Sequence, residues 1–198
     1  MVQIFIRLRI GMAIVALLAG ASCTATPPPN FYQLEEAAST QLSGLERGLA
    51  IGVGPVEMAA YLDRPQIVIR GDGHKLELSE FNRWAEPLKD SISRVLIVNL
   101  SNMLESTRVY KIPRRNKSIP LEFRIEIDIA RFDGNLGGDA LLVARWTLYG
   151  RDEKAVLTRV SIISEDSGGE GFDKLISAQN RALQKLSQEV ADAIKANR

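Results

Sequence analysis

Few side chains in this sequence are of a type and spacing that could do chemistry. His74 is the single histidine, and histidine is the side chain whose ordinary titration range suits acid–base work near neutral pH. It stands in the stretch Gly71, Asp72, Gly73, His74, Lys75, whose glycine-rich composition marks a turn where an exposed polar residue is expected. Catalysis there would need a nucleophile and an orienting acid arranged around the ring, and no spacing in the chain supplies them. Zinc sites draw on spaced clusters of His and Cys, and the chain holds one of each. Gly52 and Gly54 lack the third glycine of a dinucleotide-binding loop and the lysine of a phosphate loop; a strand bulge or a close backbone approach explains them better. Glu122, Glu126 and Asp128 alternate with Arg124 along one face of a strand pattern, which reads as solvated sheet surface with no pair singled out for catalysis. No enzyme activity, cofactor or metal is therefore expected.

The remaining reactive residue is Cys23. It follows an N-terminal segment, residues 1–22, with Arg7, Arg9, no acidic residue, and an apolar run over 10–21. That is the charged and hydrophobic order of a signal peptide, and the run falls short of the roughly 20 apolar residues of a bilayer span. An uncleaved anchor helix is the lesser reading. A cysteine at the cleavage junction, after Gly20, Ala21 and Ser22, resembles a bacterial lipobox, in which the thiol becomes lipidated and N-terminal. Lipoboxes usually carry Leu three positions before the cysteine; here that residue is Gly20. The competing reading is an incidental free thiol in an ordinary exported protein. With one cysteine no internal disulfide can form, so a hydrophobic core must supply the stability.

Residues 23–30 then form a tether. Pro27, Pro28 and Pro29 favour extended polyproline II at about 3.1 Å per residue. Thr24 is not the Asp that resembles an inner-membrane retention signal, so delivery to the periplasmic side of the outer membrane is expected. One acyl chain binds membranes only marginally, but cysteines of this kind resemble those that become triacylated.

Residues 31–198 suit one periplasmic domain by the usual size of about 100–200 residues. Without Arg7 and Arg9 the exported chain carries 23 basic against 24 acidic residues. Near-neutrality argues against nucleic acid as a partner. Self-association is compatible with such a surface.

The elements follow from periodicity. Residues 31–34 and 49–56 read as strands, the second broken by Gly52 and Gly54 and stopped at Pro55. Residues 66–70 and 75–78 read as a hairpin around Gly71–Gly73. A helix is predicted from Ser79, kinked at Pro87, with Leu88, Ile92, Val95, Leu96, Asn99, Leu100, Met103 and Leu104 as its buried stripe. Strict alternation over 121–130 predicts a strand with one dry and one wet face. A loop over 133–138, strands over 140–149 and 155–164, and a final helix over 172–196 complete the order. The fold class is α+β: a mostly antiparallel or mixed sheet with two long helices packed on one face.

Three aromatic residues fall outside this scheme. Trp146 sits mid-strand and reads as core. Tyr61, in Tyr61-Leu62-Asp63-Arg64-Pro65, and Trp84, in a stretch predicted as the helix start, are of the types that enrich interfaces; structural stapling is the alternative for both.

Residues 51–104, with the run Tyr61 to Val68 (YLDRPQIV) and Arg83 to Leu88 (RWAEPL), resemble the PqiC-like (YmbA-like) family of ABC-type transport auxiliary lipoproteins. The resemblance extends to the opening FYQL at 31–34, the chain length and the closing helix. It implies a non-catalytic, outer-membrane-anchored subunit of an intermembrane lipid-transport system that maintains membrane integrity. The implied partners are an MCE-domain conduit protein (PqiB-like) and its inner-membrane partner. Tyr61, Leu62, Arg64, Pro65 and Trp84 are the expected partner-binding residues, and Cys23 the lipidation site. A different outer-membrane assembly lipoprotein is the nearest alternative, and a periplasmic hydrolase a more distant one.

Overall fold

The computed structural model describes residues 26–37, 47–112 and 120–198. Cys23 and the signal segment lie outside the described residues.

The meander near the C-terminus is the backbone of the fold. Strand β6 (Phe123–Gly134) pairs antiparallel with β7 (Asp139–Tyr149), and β7 with β8 (Ala155–Asp166). Alternation decides their faces: Phe123, Ile125, Ile127 and Ile129 of β6, and Ala140, Leu142, Ala144, Trp146 and Leu148 of β7, are all buried. With β7 on one edge of β6, two strands share the other edge. β2 (Ile51–Met58) runs parallel to β6 from Ile51↔Phe123 to Met58↔Ile129, and β3 (Gln66–Arg70) meets it at Ile69↔Gly134. β5 (Val109–Lys111) extends the sheet parallel to β2. β4 (Leu76–Trp84) lies antiparallel to β3, and β1 (Asn30–Tyr32) parallel to β4. The sheet is mixed because β6 takes parallel partners as well as β7.

Helices α1 (Leu88–Met103) and α2 (Phe172–Ala196) cover the dry face, α1 over β2 and β5, α2 over β7 and β8, and they touch each other. Leu175, Ala178, Ala182, Leu183, Leu186, Val190 and Ile194 are all buried, as the 3.6-residue period requires. Asn99 interrupts the stripe of α1 for a reason. Its Nδ2 donates to Ser187 Oγ of α2 at 3.1 Å, and its Oδ1 accepts from Ala37 N at 3.0 Å. A buried amide thus finds partners on both sides and joins the two helices to the N-terminal segment. Trp146 is core, its indole donating to Ser161 Oγ at 2.9 Å.

Four expectations need correction. The helix does not start at Ser79: residues 79–84 belong to β4, held by β3 on one side and β1 on the other, and Pro87 stands at the helix boundary instead of kinking it. Proline disfavours helical backbone in the residue before it and lacks only an N–H that a first turn leaves unused. Ser79 Oγ accepts from Asn82 N at 3.2 Å, but within a bend of β4. Pro55 does not stop β2; a register shift between Val53 and Val56 carries the strand past it to Met58, and the Gly54–Pro55 peptide is cis. β6 runs on through Asp133 and Gly134, which were expected in a loop, because a register shift after Ile129 resets its phase so that Phe132 is buried. The sheet as a whole is mixed, within the α+β class expected.

Candidate functional site

The connector between β2 and β3, residues 59–65, is built from short backbone bonds. Ala59 N donates to Ile129 O, Leu62 N to Ala59 O and Arg64 N to Leu62 O, each at 2.9 Å. Leu62 is buried and plugs this turn into the core. At its end Pro65 O accepts from Trp84 N at 2.7 Å, and Ala85 N donates to Tyr32 O at 2.8 Å. The two runs singled out in the sequence, some twenty residues apart, are thereby locked side by side. Asp63, Arg64 and Pro65 together with residues 84–88 line one cavity of about 340 Å³. Its walls mix Trp84, Pro65, Pro87 and Leu88 with the charges of Asp63, Arg64 and Glu86.

The candidate residues divide within this arrangement. Asp63 and Pro65 are exposed, and Arg64 is half-buried with its Nε lacking any hydrogen-bond partner. Trp84, read as either an interface residue or a staple of the fold, is 6% exposed and packs in the core, leaving only its margin at the cavity. The physical reason is its place at the end of β4 on the dry face, where the largest apolar ring gains most from burial. Leu62 is buried for the same reason. Tyr61 points away from the cavity.

The ring of Tyr61 leads to a cluster that the sequence did not disclose. Its hydroxyl donates to Asp133 Oδ2 at 2.6 Å. Arg70 donates from Nε to Asp133 Oδ1 at 3.1 Å and from Nη2 to Oδ2 at 3.0 Å, and Arg131 Nη2 donates to Oδ1 at 2.6 Å. Asp133 is fully buried. Burial alone would raise its pKa, but the donors from Arg70, Arg131 and Tyr61 overcome it and hold the carboxyl at about 2. Burial and the same carboxylate push Tyr61 up to about 12. A buried charge with every lone-pair direction taken fastens the connector to β3 and β6. No sequence pattern marked Asp133, since the register shift in β6 hides its phase.

A second cluster stiffens the opposite wall. Glu86 accepts from Arg94 Nη2 at 2.9 Å and from Gln33 Nε2 at 3.2 Å, and Arg94 also reaches Glu36 and Leu34 O. Arg94, ahead of burial and the weaker donors, keeps the Glu86 carboxyl below its usual range. The N-terminal segment, the start of α1 and the cavity rim are thus one unit. A second depression of about 310 Å³ lies by the register shift of β2, where Lys89 pairs with Glu57 and Lys111 with Asp90.

His74 lies in the exposed hairpin turn, whose Gly71 N donates to Lys75 O at 3.1 Å. Among the described residues no group of three or more His, Cys, Asp or Glu is placed to hold a metal ion, and no helix is long and apolar enough to cross a membrane. Glu126 is more than a solvated residue: it accepts from Arg124 and from Tyr149 OH, and the Arg124 guanidinium lies 4.1 Å from the Tyr149 ring centre.

Comparison with known proteins adds to this geometry. Two solved structures share the fold: an uncharacterized protein, with a TM-score of 0.70 and 18% identity, covering 85% of this chain and 99% of that one, and a Xanthomonas campestris protein, with a TM-score of 0.66 and 18% identity, covering 82% and 92%. The intermembrane transport lipoprotein PqiC of Escherichia coli K12, and its counterpart in Shigella flexneri, are each 22% identical over 167 residues, spanning 84% of this chain and 86% of theirs. The family model for the ABC-type transport auxiliary lipoprotein component matches residues 32–191. That match takes in both runs at the cavity and the Asp133 cluster, and the chain belongs to the ABC-type transport auxiliary lipoprotein family, with a role in membrane transport.

Proposed function

We propose that this protein is a non-catalytic lipoprotein, anchored through Cys23 on the periplasmic side of the outer membrane, that serves an MCE-type intermembrane lipid-transport system. The observation that carries the reading is the family match over nearly all of the folded domain, joined by relatives named as intermembrane transport lipoproteins. The partner in this reading is the periplasmic end of an MCE-domain conduit protein. The docking surface is the rim formed by Asp63, Arg64 and Pro65 beside Trp84. Rigid walls and a half-buried arginine at the rim suit a hot spot, where a partner side chain enters the pocket beside Arg64.

Photo-crosslinking from position 63 or 65 in intact cells tests this directly. The captured protein is expected to be an MCE-domain conduit. Arg64→Ala should weaken capture by at least about tenfold, the loss typical of a hot-spot residue, with the thermal midpoint unchanged. Capture of outer-membrane assembly factors alone, or a binding loss that only tracks unfolding, would overturn the assignment. Tyr61, Leu62 and Trp84 are unsuitable probes because each is tied into the fold.

A further inference from the structure

Apart from Leu136, the exposed large apolar side chains fall into two groups at opposite ends of the sheet, Val156, Val160 and Ile162 on β8 and a second group on β1 and β4, and the tether distinguishes the second. Phe31, Leu76, Leu78 and Phe81 are all substantially exposed, and all lie on the adjacent strands β1 and β4. Phe31 is 64% exposed and stands opposite Arg83 in the parallel pair. Leu76 and Leu78 share one face of β4, by the two-residue period of a strand. Scattered surface leucines need no explanation, but a cluster of this kind marks an interaction site. Nothing in the described fold covers it.

The chain itself indicates what does. β1 begins at Asn30, seven residues after Cys23, and residues 26–29 are exposed and outside any helix or strand. Seven residues reach at most about 25 Å when fully extended. A domain of this size has a radius of gyration of about 15 Å, equivalent to a sphere roughly 40 Å across. The tether is therefore shorter than the body it holds, and the side of the domain bearing β1 must face the membrane. From β1 the strands run in the order β4, β3, β6, β7, β8, so β8 lies about 24 Å away along the sheet at the usual strand spacing.

We propose that the β1–β4 end of the sheet is a membrane-contact surface, with Phe31, Leu76, Leu78 and Phe81 seated in the interfacial region of the bilayer that holds the Cys23 anchor. This rests on the anchoring proposed above. The contact is apolar in character: Arg83 is occupied by Glu80, its Nε donating to Glu80 O at 2.9 Å, and Lys75 is offset by Glu77 on the same strand end. Such a surface fixes the orientation of the domain as well as its distance, and presents the remainder of the sheet to the periplasm. Amphipathic surfaces of this kind sink about 5–10 Å into the headgroup boundary.

The test uses the full lipidated chain with Phe31→Trp, Leu78→Trp or Phe81→Trp, and Ile162→Trp on β8 as the distant control. Each is reconstituted into phosphatidylethanolamine and phosphatidylglycerol vesicles with brominated acyl chains, and its emission is read against wild type, whose Trp84 and Trp146 are buried. Tryptophan at 31, 78 and 81 is expected to be quenched at least about twofold, as shallow insertion requires, and tryptophan at 162 to be unaffected. No quenching at the three positions in protein that floats with the vesicles overturns this inference and leaves the anchor standing. Equal quenching at 162 overturns the orientation. Absence of acyl label on Cys23 brings down both readings. Protection of the three positions by a protein partner or a second copy, without quenching, assigns the surface to protein and likewise overturns the proposal.

Discussion

At Asp133, a buried carboxylate carries a charge that only its donors make tolerable, and its titration is a direct readout of folding. Its ordinary pKa in an unfolded chain is about 3.9, and in the fold it is held at about 2. A group depressed by folding stabilises the protein fully above its unfolded value and loses that contribution as the pH falls through its folded value. The difference amounts to roughly 2–3 kcal/mol. Wild-type stability should therefore decline between about pH 4 and pH 2 more steeply than that of Asp133→Asn. At pH 7 Asp133→Asn should be less stable by about 3 kcal/mol, because it leaves Arg70 and Arg131 facing a site with no anion; urea titrations at several pH values measure both. Tyr61 gives the alkaline counterpart. Its pKa is raised to about 12, so the contribution of the neutral phenol is intact below about pH 10 and is lost as the pH rises through 12. Burial also raises Tyr32 and Tyr149, so ultraviolet titration should show several of the four tyrosines ionising late, and Tyr61→Phe should remove the latest step.

The strands carry constraints of a different kind. β5 packs so closely on β2 that a Cβ at Gly54 would stand 2.3 Å from Ile112 O, and Gly54 has a φ of +134°. Both the backbone conformation and the space exclude a side chain, and the atom in the way is main chain, which cannot swing aside. Gly54→Ala should cost more than about 2 kcal/mol, read as a fall in the urea midpoint at constant m-value. On the outer face of β6 the expectation from alternation alone would be a neutral Glu126→Ala. The structure changes that number, since Arg124 and Tyr149 OH both converge on Glu126. A loss of about 1 kcal/mol is expected, still well below the roughly 2–5 kcal/mol for truncating the buried Ile127 to alanine. Comparable effects at the two positions would mean that the two faces of β6 are energetically alike.

For the molecule as a whole, anchoring and folding should be separable. Cys23 precedes β1 by seven residues and can form no disulfide in a chain with one cysteine. Cys23→Ala is expected to leave the thermal midpoint unchanged while abolishing metabolic incorporation of labelled fatty acid. Label in the mutant, or none in wild type, would remove the lipidation site. In the proposed anchoring, a short tether would couple anchoring to geometry by holding the cavity rim at residues 63–65 at a fixed height above the membrane. If the proposed anchor and partner hold, lengthening the tether by about ten Gly and Ser residues should leave the domain folded and acylated while reducing capture of the proposed conduit partner.

The sequence by itself determined the elements whose signal is local. Alternation at Phe123, Ile125, Ile127 and Ile129, and the 3.6-residue stripe from Leu175 to Ile194, place strand β6 and helix α2 because a single repeating period decides which side faces the core. The YLDRPQ and RWAEPL runs carried the family resemblance, and the family match over residues 32–191 bears that resemblance out. What only the tertiary structure decided is whatever depends on a break in period or on contacts distant in sequence. A register shift after Ile129 turns Asp133 from a loop residue into a buried anion, and strand partners on both sides turn residues 79–84 from a helix start into β4. Burial of Trp84 and Leu62 follows from the same pairing, which leaves Asp63, Arg64 and Pro65 as the accessible part of that neighbourhood. Propensity is read one residue at a time, whereas an ion cluster or a cavity wall exists only once chain segments far apart in sequence have been brought to within a few ångströms.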